Sequence, residues 1–207
     1  MNFNEEKKLW KKGFKFVVGI DEAGRGPLAG PVVAGAVLVN PKFQILSVGV
    51  NDSKKLSAKE REKIYNYFKK NSDIEWGIGM VSEKVIDRVN ILEATKLAMI
   101  KAVKNLEKKI GKLTPQKILI IDGNIKLNVN WTQKSIIKAD QKVFSCALAS
   151  IFAKVARDKM MQKYHKKYPE YGFDAHKGYG TEHHFKMLKK HGHRKIHRKS
   201  FYPISEI

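Results

Sequence analysis

The stretch "VVGIDEAGRGPLAGPVVAGAVLV", residues 17–39, restricts the possible folds of this chain more than any other. Two Val-rich runs, at 15–20 and 31–39, read as strands. The Gly- and Pro-rich link between them is too short for a crossover, so antiparallel neighbours are expected. The first run ends on adjacent carboxylates, Asp21 and Glu22. Two acids at the end of a buried strand repel each other and lose hydration. A positive charge is therefore expected between them and some partner.

The rest of the chain alternates elements. "QILSVGV" (44–50) and "IEWGIGMV" (74–81) read as further strands, and "SAKEREKIYNYFKKN" (57–71) as a helix with Ser57 as N-cap and Glu60 closing a capping box. Helical spacing of apolar residues continues over 82–110. "QKILIID" (116–122) is a nearly unbroken apolar run, the pattern of a central strand buried on both faces. "SIIKADQ" (135–141) reads as a short extended segment, and a helix runs on from about 143. The small apolar residues in its first half suit tight packing on a sheet. One more helix is expected at 181–191, opened by Thr181 and Glu182. Strands first, then helices and strands in alternation, predict an α/β domain with a mixed sheet. Residues 1–165 read as its core and 166–207 as a basic C-terminal extension packed on it, the two forming one continuous unit.

Charge narrows the function. Lys and Arg number 41 against 20 Asp and Glu, a net of +21, which predicts a polyanionic partner, most simply nucleic acid. The lone Cys146 excludes a disulfide within the chain and suits a reducing compartment. It lies in an apolar stretch and reads as a core residue. The N-terminus has no apolar signal region, and no run approaches a membrane span, so a cytoplasmic protein without a membrane partner is expected.

Asp122 ends the apolar run at 116–122, and Asp140 lies just before the long helix. With Asp21 and Glu22 they make a set of carboxylates at strand ends and a helix start, of the kind that holds Mg²⁺ or Mn²⁺. Two such ions about 4 Å apart can activate a water and stabilise a leaving oxygen in phosphoryl transfer. Taken singly, Asp122 followed by Gly123 also suits a turn, and Asp140 a helix cap. Asp158 reads as a helix-face acid paired with a nearby base. The loop "AGRGPLAG" is not a dinucleotide fingerprint, because its glycine spacing is wrong and a strand follows it. Its backbone can still approach a phosphate, with Arg25 alongside. His183, His184, His191, His193 and His197 have no cysteine partners and no H-E-x-x-H, so they read as a basic surface touching a nucleic-acid backbone and not as a zinc site.

At this point a resemblance enters. "GIDEAGRGPLAGPVVAGAV" (19–37) closely resembles the signature of ribonuclease HII, the type 2 ribonuclease H of bacteria and archaea. "NDSKKLS" (51–57), "IIDGN" (120–124), "IKADQKVFSCALASIFAKVARD" (137–158), "HKGYGTEHH" (176–184) and "HRKSF" (197–201) follow in the family's order. The resemblance implies a ribonuclease H-like fold, a five-stranded mixed sheet flanked by helices with a helical C-terminal extension. It implies that Asp21, Glu22, Asp122 and Asp140 are the catalytic acids holding Mg²⁺ or Mn²⁺, with two ions during catalysis. It further implies that Gly24, Arg25 and Gly26 grip the ribonucleotide and its neighbouring phosphates, and that Tyr179 senses the step from ribonucleotide to deoxyribonucleotide. Lys54 and Lys55 are candidate phosphate contacts. One departure is Gly180, where the family often has proline; glycine there is expected to loosen the turn that carries Tyr179.

The implied reaction is metal-dependent hydrolysis 5′ to a ribonucleotide, in RNA–DNA hybrids or at single ribonucleotides in duplex DNA, leaving 3′-hydroxyl and 5′-phosphate ends. Ribonuclease HIII, a longer relative, would need an extra N-terminal domain for which there is no room before residue 15. A basic binding protein without catalysis explains the charge but not four converging acids. A nuclease or resolvase of the same fold acting on another substrate is a further alternative. The C-terminal "KSFYPISEI" has no clear sliding-clamp pattern, and a monomer is expected.

Overall fold

The two Val-rich runs form a hairpin at the centre of the sheet. In the computed structural model, which describes residues 3–43, 56–111 and 116–206, β1 (Phe16–Ala23) pairs antiparallel with β2 (Val32–Val39). β3 (Ile74–Val81) extends the sheet beyond β2, again antiparallel. On the other side of β1 lies β4 (Lys117–Asp122), parallel to it, and then β5 (Thr132–Ile136), parallel to β4. Among the described residues the five strands make one mixed sheet in the order β3-β2-β1-β4-β5. The strand expected at 44–50 lies outside the described residues.

Strand alternation decides which side chains face which layer. Val18 and Ile20 of β1, with Leu119 and Ile121 of β4, join the cluster built on α3 (Glu83–Ile110). Val17, Ile118 and Ile120 point the other way, toward Val143 and Cys146 at the start of α5 (Phe144–Lys167). Each such fully buried Val, Ile or Leu contributes roughly 1.5–3 kcal/mol. Cys146 is one of these core residues, as its sequence context predicts. α2 (Ala58–Lys69) packs with α5 on the same face, and its N-terminus carries the expected capping box between Ser57 and Glu60. The helices lie close because the sheet is surfaced with glycine. A Cβ at Gly19 or Gly35 would collide with the backbone of α5, and one at Gly77 or Gly79 with the backbone of α3. No described helix is long and apolar enough to cross a membrane.

Three local features depart from the expected elements. The long helix is broken at Asn90 (φ 66°), whose side chain accepts from Leu92 N at 2.9 Å and Glu93 N at 3.1 Å. Asn90 therefore caps a second helical segment. The segment expected to be extended over 135–141 is a strand only to Ile136. The chain then turns at Lys138 (φ 58°) into a helical turn, α4 (Ala139–Lys142). Finally, the N-terminal residues form α1 (Asn4–Lys11), which buries Glu6. The Glu6 carboxylate accepts from Ser145 N at 2.8 Å and Ser145 Oγ at 2.9 Å, so it caps the first turn of α5.

The C-terminal residues run through a short 3₁₀ turn (Pro169–Tyr171), α6 (Phe173–His176) and α7 (Glu182–His191). Thr181 caps α7, accepting from His184 N. Tyr171, Phe173, Leu188, Ile196 and Ile204 form a cluster with Met161 of α5 and with Leu28 and Ala29 of the loop after β1.

Candidate active site

β1 and β4 are parallel, and Ile20 lies opposite Ile121, so Asp21 and Asp122 come next to each other at the same sheet edge. By alternation both side chains fall on the α5 face. Asp122 Oδ1 accepts from Ala139 N at 2.6 Å, which ties the turn of α4 to the end of β4 and carries Asp140 to the same place. One carboxylate oxygen from each of Asp21, Asp122 and Asp140 lies within 4.8 Å of the others. Sheet edges where strand order changes direction, at the carboxyl ends of parallel strands, are the usual sites in α/β folds.

Electrostatics at this edge are unfavourable for the bare protein. Burial pushes the Asp21 carboxyl well above the ordinary range, and the charges of Glu22 and Asp122 push it further. The Ser150 hydroxyl and the Glu22 amide oppose this, the amide donating to Asp21 Oδ1 at 2.7 Å. Burial also raises Glu22; Arg25 counters, its Nη1 3.5 Å from Glu22 Oε1, while Asp122 adds to the rise. Glu22 stands beside the three aspartates and outside their closest grouping. The donor set is oxygen only and strongly anionic, so it fits a hard divalent cation, whose charge would offset this repulsion.

Beside the acids, the Gly-rich loop is held from beneath by two buried arginines. Arg157 of α5 donates from Nε to Pro31 O (3.0 Å) and from Nη2 to Ala29 O (3.1 Å). Arg198 donates from Nε to Gly30 O (3.0 Å), from Nη1 to Arg25 O (2.8 Å) and from Nη2 to Gly24 O (2.5 Å). Gly24 has φ 97°, and a Cβ there would overlap the Arg157 guanidinium. Only glycine satisfies both conditions. With its carbonyls turned down onto the arginines, the loop lines a cleft of about 420 Å³. Asp21, Glu22, Gly24, Arg25, Gly26 and Asp122 face it, as do Arg61, Lys154 and Tyr179.

The structure thus brings together Asp21, Glu22, Asp122, Gly24, Arg25, Gly26 and Tyr179 in one cleft, with Asp140 behind it in the aspartate group. A Cβ on Gly26 would sit 3.7 Å from the Tyr179 ring. Lys54 and Lys55 lie outside the described residues. Asp158 pairs with Lys154 at 2.8 Å, as a helix-face acid should. The histidine reading is corrected for two of the five: His184 and His197 are buried, their Nε2 atoms 3.1 Å apart, and pack against Tyr171 and Phe173, whereas His183 is exposed and His191 and His193 are partly exposed. Arg157, Arg198, Ser150 and Lys154 do not stand out in the sequence. Their signal there is weak: an arginine on the sheet-facing part of an apolar helix, and an arginine inside "HRKSF". Gly180 is exposed, and a Cβ there would lie 2.8 Å from the Phe185 ring and 3.2 Å from Leu28.

Comparison with known proteins places the chain in a family. The sequence profile of the family described as Ribonuclease HII matches residues 18–203. A ribonuclease HII of Chlamydia caviae is 49% identical over 202 residues, covering 98% of this chain and 91% of the relative. One from Bacillus cereus is 50% identical over 202 residues, covering 98% of this chain and 75% of the relative. Among solved structures, the ribonuclease H2 of Pyrococcus horikoshii superposes with a TM-score of 0.75 at 27% identity, covering 92% of this chain and 96% of that one. The five-stranded mixed sheet between helical layers is accordingly a ribonuclease H-like fold. With the profile spanning nearly the whole chain and half the residues shared with named relatives, this protein belongs to the ribonuclease HII family, the type 2 ribonuclease H endonucleases.

Proposed function

We propose that this chain hydrolyses the phosphodiester 5′ to a ribonucleotide, both in RNA–DNA hybrids and at single ribonucleotides in duplex DNA, and so serves to remove ribonucleotides from DNA. The observation that carries this reading is the convergence of Asp21, Asp122 and Asp140 within 4.8 Å beside a glycine-lined cleft. Asp21, Glu22, Asp122 and Asp140 would hold Mg²⁺ or Mn²⁺. When bound there, the cations supply the positive charge that activates a water and stabilises the leaving 3′ oxygen.

The chain's own residues do the rest. Gly24 and Gly26 present backbone without side chains, so the ribose and its 2′-hydroxyl can come within hydrogen-bonding distance. Arg25, Arg61 and Lys154 give the cleft cations for the phosphates on either side. Tyr179, 46% exposed, lies across from Gly26, where its ring would pack against the adjacent deoxyribose and meet any 2′-hydroxyl there. The net charge of +21 suits a duplex held by its backbone, and the reading is of a monomer acting in the cytoplasm.

The test is a cleavage assay with Mg²⁺ or Mn²⁺ on three duplexes: one ribonucleotide in DNA, an RNA strand on DNA, and DNA alone. Incision of the first two on the 5′ side of the ribonucleotide, with all-DNA left intact, is expected. Asp122→Asn, which keeps size and removes charge, should abolish cutting and leave duplex binding largely intact. Cutting of all-DNA at a similar rate would overturn the substrate reading. Binding without any cutting by the unmodified chain would favour a non-catalytic nucleic-acid protein.

A further inference from the structure

We propose that His176, His184 and His197 form a neutral, hydrogen-bonded cradle that sets the position of Tyr179, and that they are positioning residues for incision at a lone ribonucleotide. The proposal rests on the reading of Tyr179 given above and assigns what holds it in place.

The Tyr179 ring is half exposed, so its location is set through its backbone. Gly178 N donates to His176 Nδ1 at 3.1 Å, and Tyr179 N to His176 O at 3.0 Å. Tyr179 O lies 2.9 Å from His184 Nδ1 and also accepts from Thr181 N at 2.9 Å. Leu28 N donates to Gly178 O at 2.8 Å, which locks the same segment to the Gly-rich loop.

The geometry allows one tautomer for each ring. His197 Nδ1 lies 2.8 Å from Arg194 N and 3.2 Å from Arg194 O. The amide can only donate and is the nearer, and its hydrogen leaves no room for a second proton there, so Nδ1 is an acceptor and the proton sits on Nε2. His197 Nε2–H then donates to His184 Nε2 at 3.1 Å. The proton of His184 is thereby placed on Nδ1, where it donates to Tyr179 O. His176 follows the same logic: Nδ1 accepts from Gly178, so Nε2–H donates to Tyr171 O at 2.6 Å. A relay of fixed direction thus runs from Arg194 N–H through two imidazoles to the carbonyl of Tyr179. It requires His184 and His197 to be neutral, because their two facing nitrogens can share only one proton; His176 is neutral because its Nδ1 accepts from Gly178 N. Burial favours that state, lowering His184 to about 4 and His197 to about 3, with His176 lowered as well. His176 stacks on His184 with centroids 4.6 Å apart, and the Phe173 edge closes the group. Among the described residues no further His, Cys, Asp or Glu joins these rings in a metal-ligating group.

The experiment compares incision at a lone ribonucleotide with incision of an RNA–DNA hybrid, the latter serving as internal reference. His184→Phe keeps a ring and removes the donor to Tyr179. It should lower the ratio of lone-site to hybrid rates by about tenfold or more, the loss that a small misplacement produces. His184→Asn restores an N–H toward Tyr179 O and should recover most of that ratio. His197→Phe, which does not touch the 178–179 backbone, frees His184 to take the other tautomer and should lower the ratio as well. It is the deciding variant if His184→Phe does not fold. A parallel fall on both substrates, an unchanged ratio in His184→Phe and His197→Phe, or no recovery with Asn would overturn the cradle. Tyr179→Ala separates the two ideas: if it leaves the ratio unchanged, the sensor reading fails. If it lowers the ratio while the histidine variants do not, only the cradle fails.

Discussion

Asp21 shows how one buried carboxylate can cost the fold stability. Its carboxyl is buried beside Glu22 and Asp122, so its charge is unfavourable in the bare protein. A carboxyl whose folded pKa is raised holds its proton more tightly in the folded chain than in the unfolded one. Its contribution to stability is complete below the ordinary carboxylate range and is lost as pH rises through the raised value. At neutral pH in EDTA, Asp21→Asn should therefore raise the Tm by roughly 2–4 °C, the shift that about 1 kcal/mol produces in a chain of this size. The gap between variant and wild type should narrow as pH falls. Added Mg²⁺ or Mn²⁺ should raise the wild-type Tm and leave the variant nearly unmoved, because only the first gains a bound ligand. Differential scanning fluorimetry across pH, with and without the cations, reads all three effects. A lower Tm for Asp21→Asn in EDTA would mean that the carboxylate is not strained in the folded state.

The elements owe their spacing to glycine. β3 carries Gly77 and Gly79 where α3 crosses it, and a Cβ at Gly79 would strike the carbonyl of Ala98. Neither backbone can retreat without disturbing the cluster of Ala94, Ala98, Ala102 and Leu106 below it. Gly79→Ala should therefore destabilise the fold by about 1–3 kcal/mol or more, the usual cost of overpacking a well-filled core. A lowered urea midpoint with an unchanged slope would be the signature; an unchanged midpoint would show that α3 can shift at no cost. Helix ends at this scale were partly legible. Ser57 and Glu60 announce a capping box, and the box is there. Asn90 followed by Glu93 was an equally good signal for a new helix start inside a continuous apolar pattern, and the pattern hid it.

At the scale of the whole molecule, the net charge of +21 governs which partners the protein attracts. If it is a footprint for duplex backbone, binding of an RNA–DNA hybrid must release counterions. Affinity should then fall by at least about tenfold between roughly 50 and roughly 200 mM salt, linearly on a log–log scale. Fluorescence anisotropy with the Asp122→Asn variant would measure this without cleavage. A flat salt dependence would make the charge a matter of composition alone. The sheet order also belongs to this scale. β1 sits between an antiparallel and a parallel neighbour, and that placement brings the ends of β1 and β4 to one edge.

Local pattern was enough to read the strands of the hairpin, the buried run ending at Asp122, the small-residue helix and the acids, because period, turn chemistry and capping act over a few residues. The family signature, also local, named the four acids and Tyr179. Only the tertiary structure decided what surrounds them. Arg157 and Arg198 hold the glycine loop from positions 126 to 174 residues away in sequence, through carbonyls that no side-chain pattern reveals. His184 and His197 look in sequence like part of a basic surface. They are core residues because Tyr171 and Phe173 close over them and their own nitrogens satisfy each other. Glu6, in an N-terminal segment for which the sequence suggests no element, ends up capping α5. In each case the partner is backbone or a second buried polar group, supplied by a distant element, and burial of a polar side chain depends on that partner and not on the neighbours in sequence.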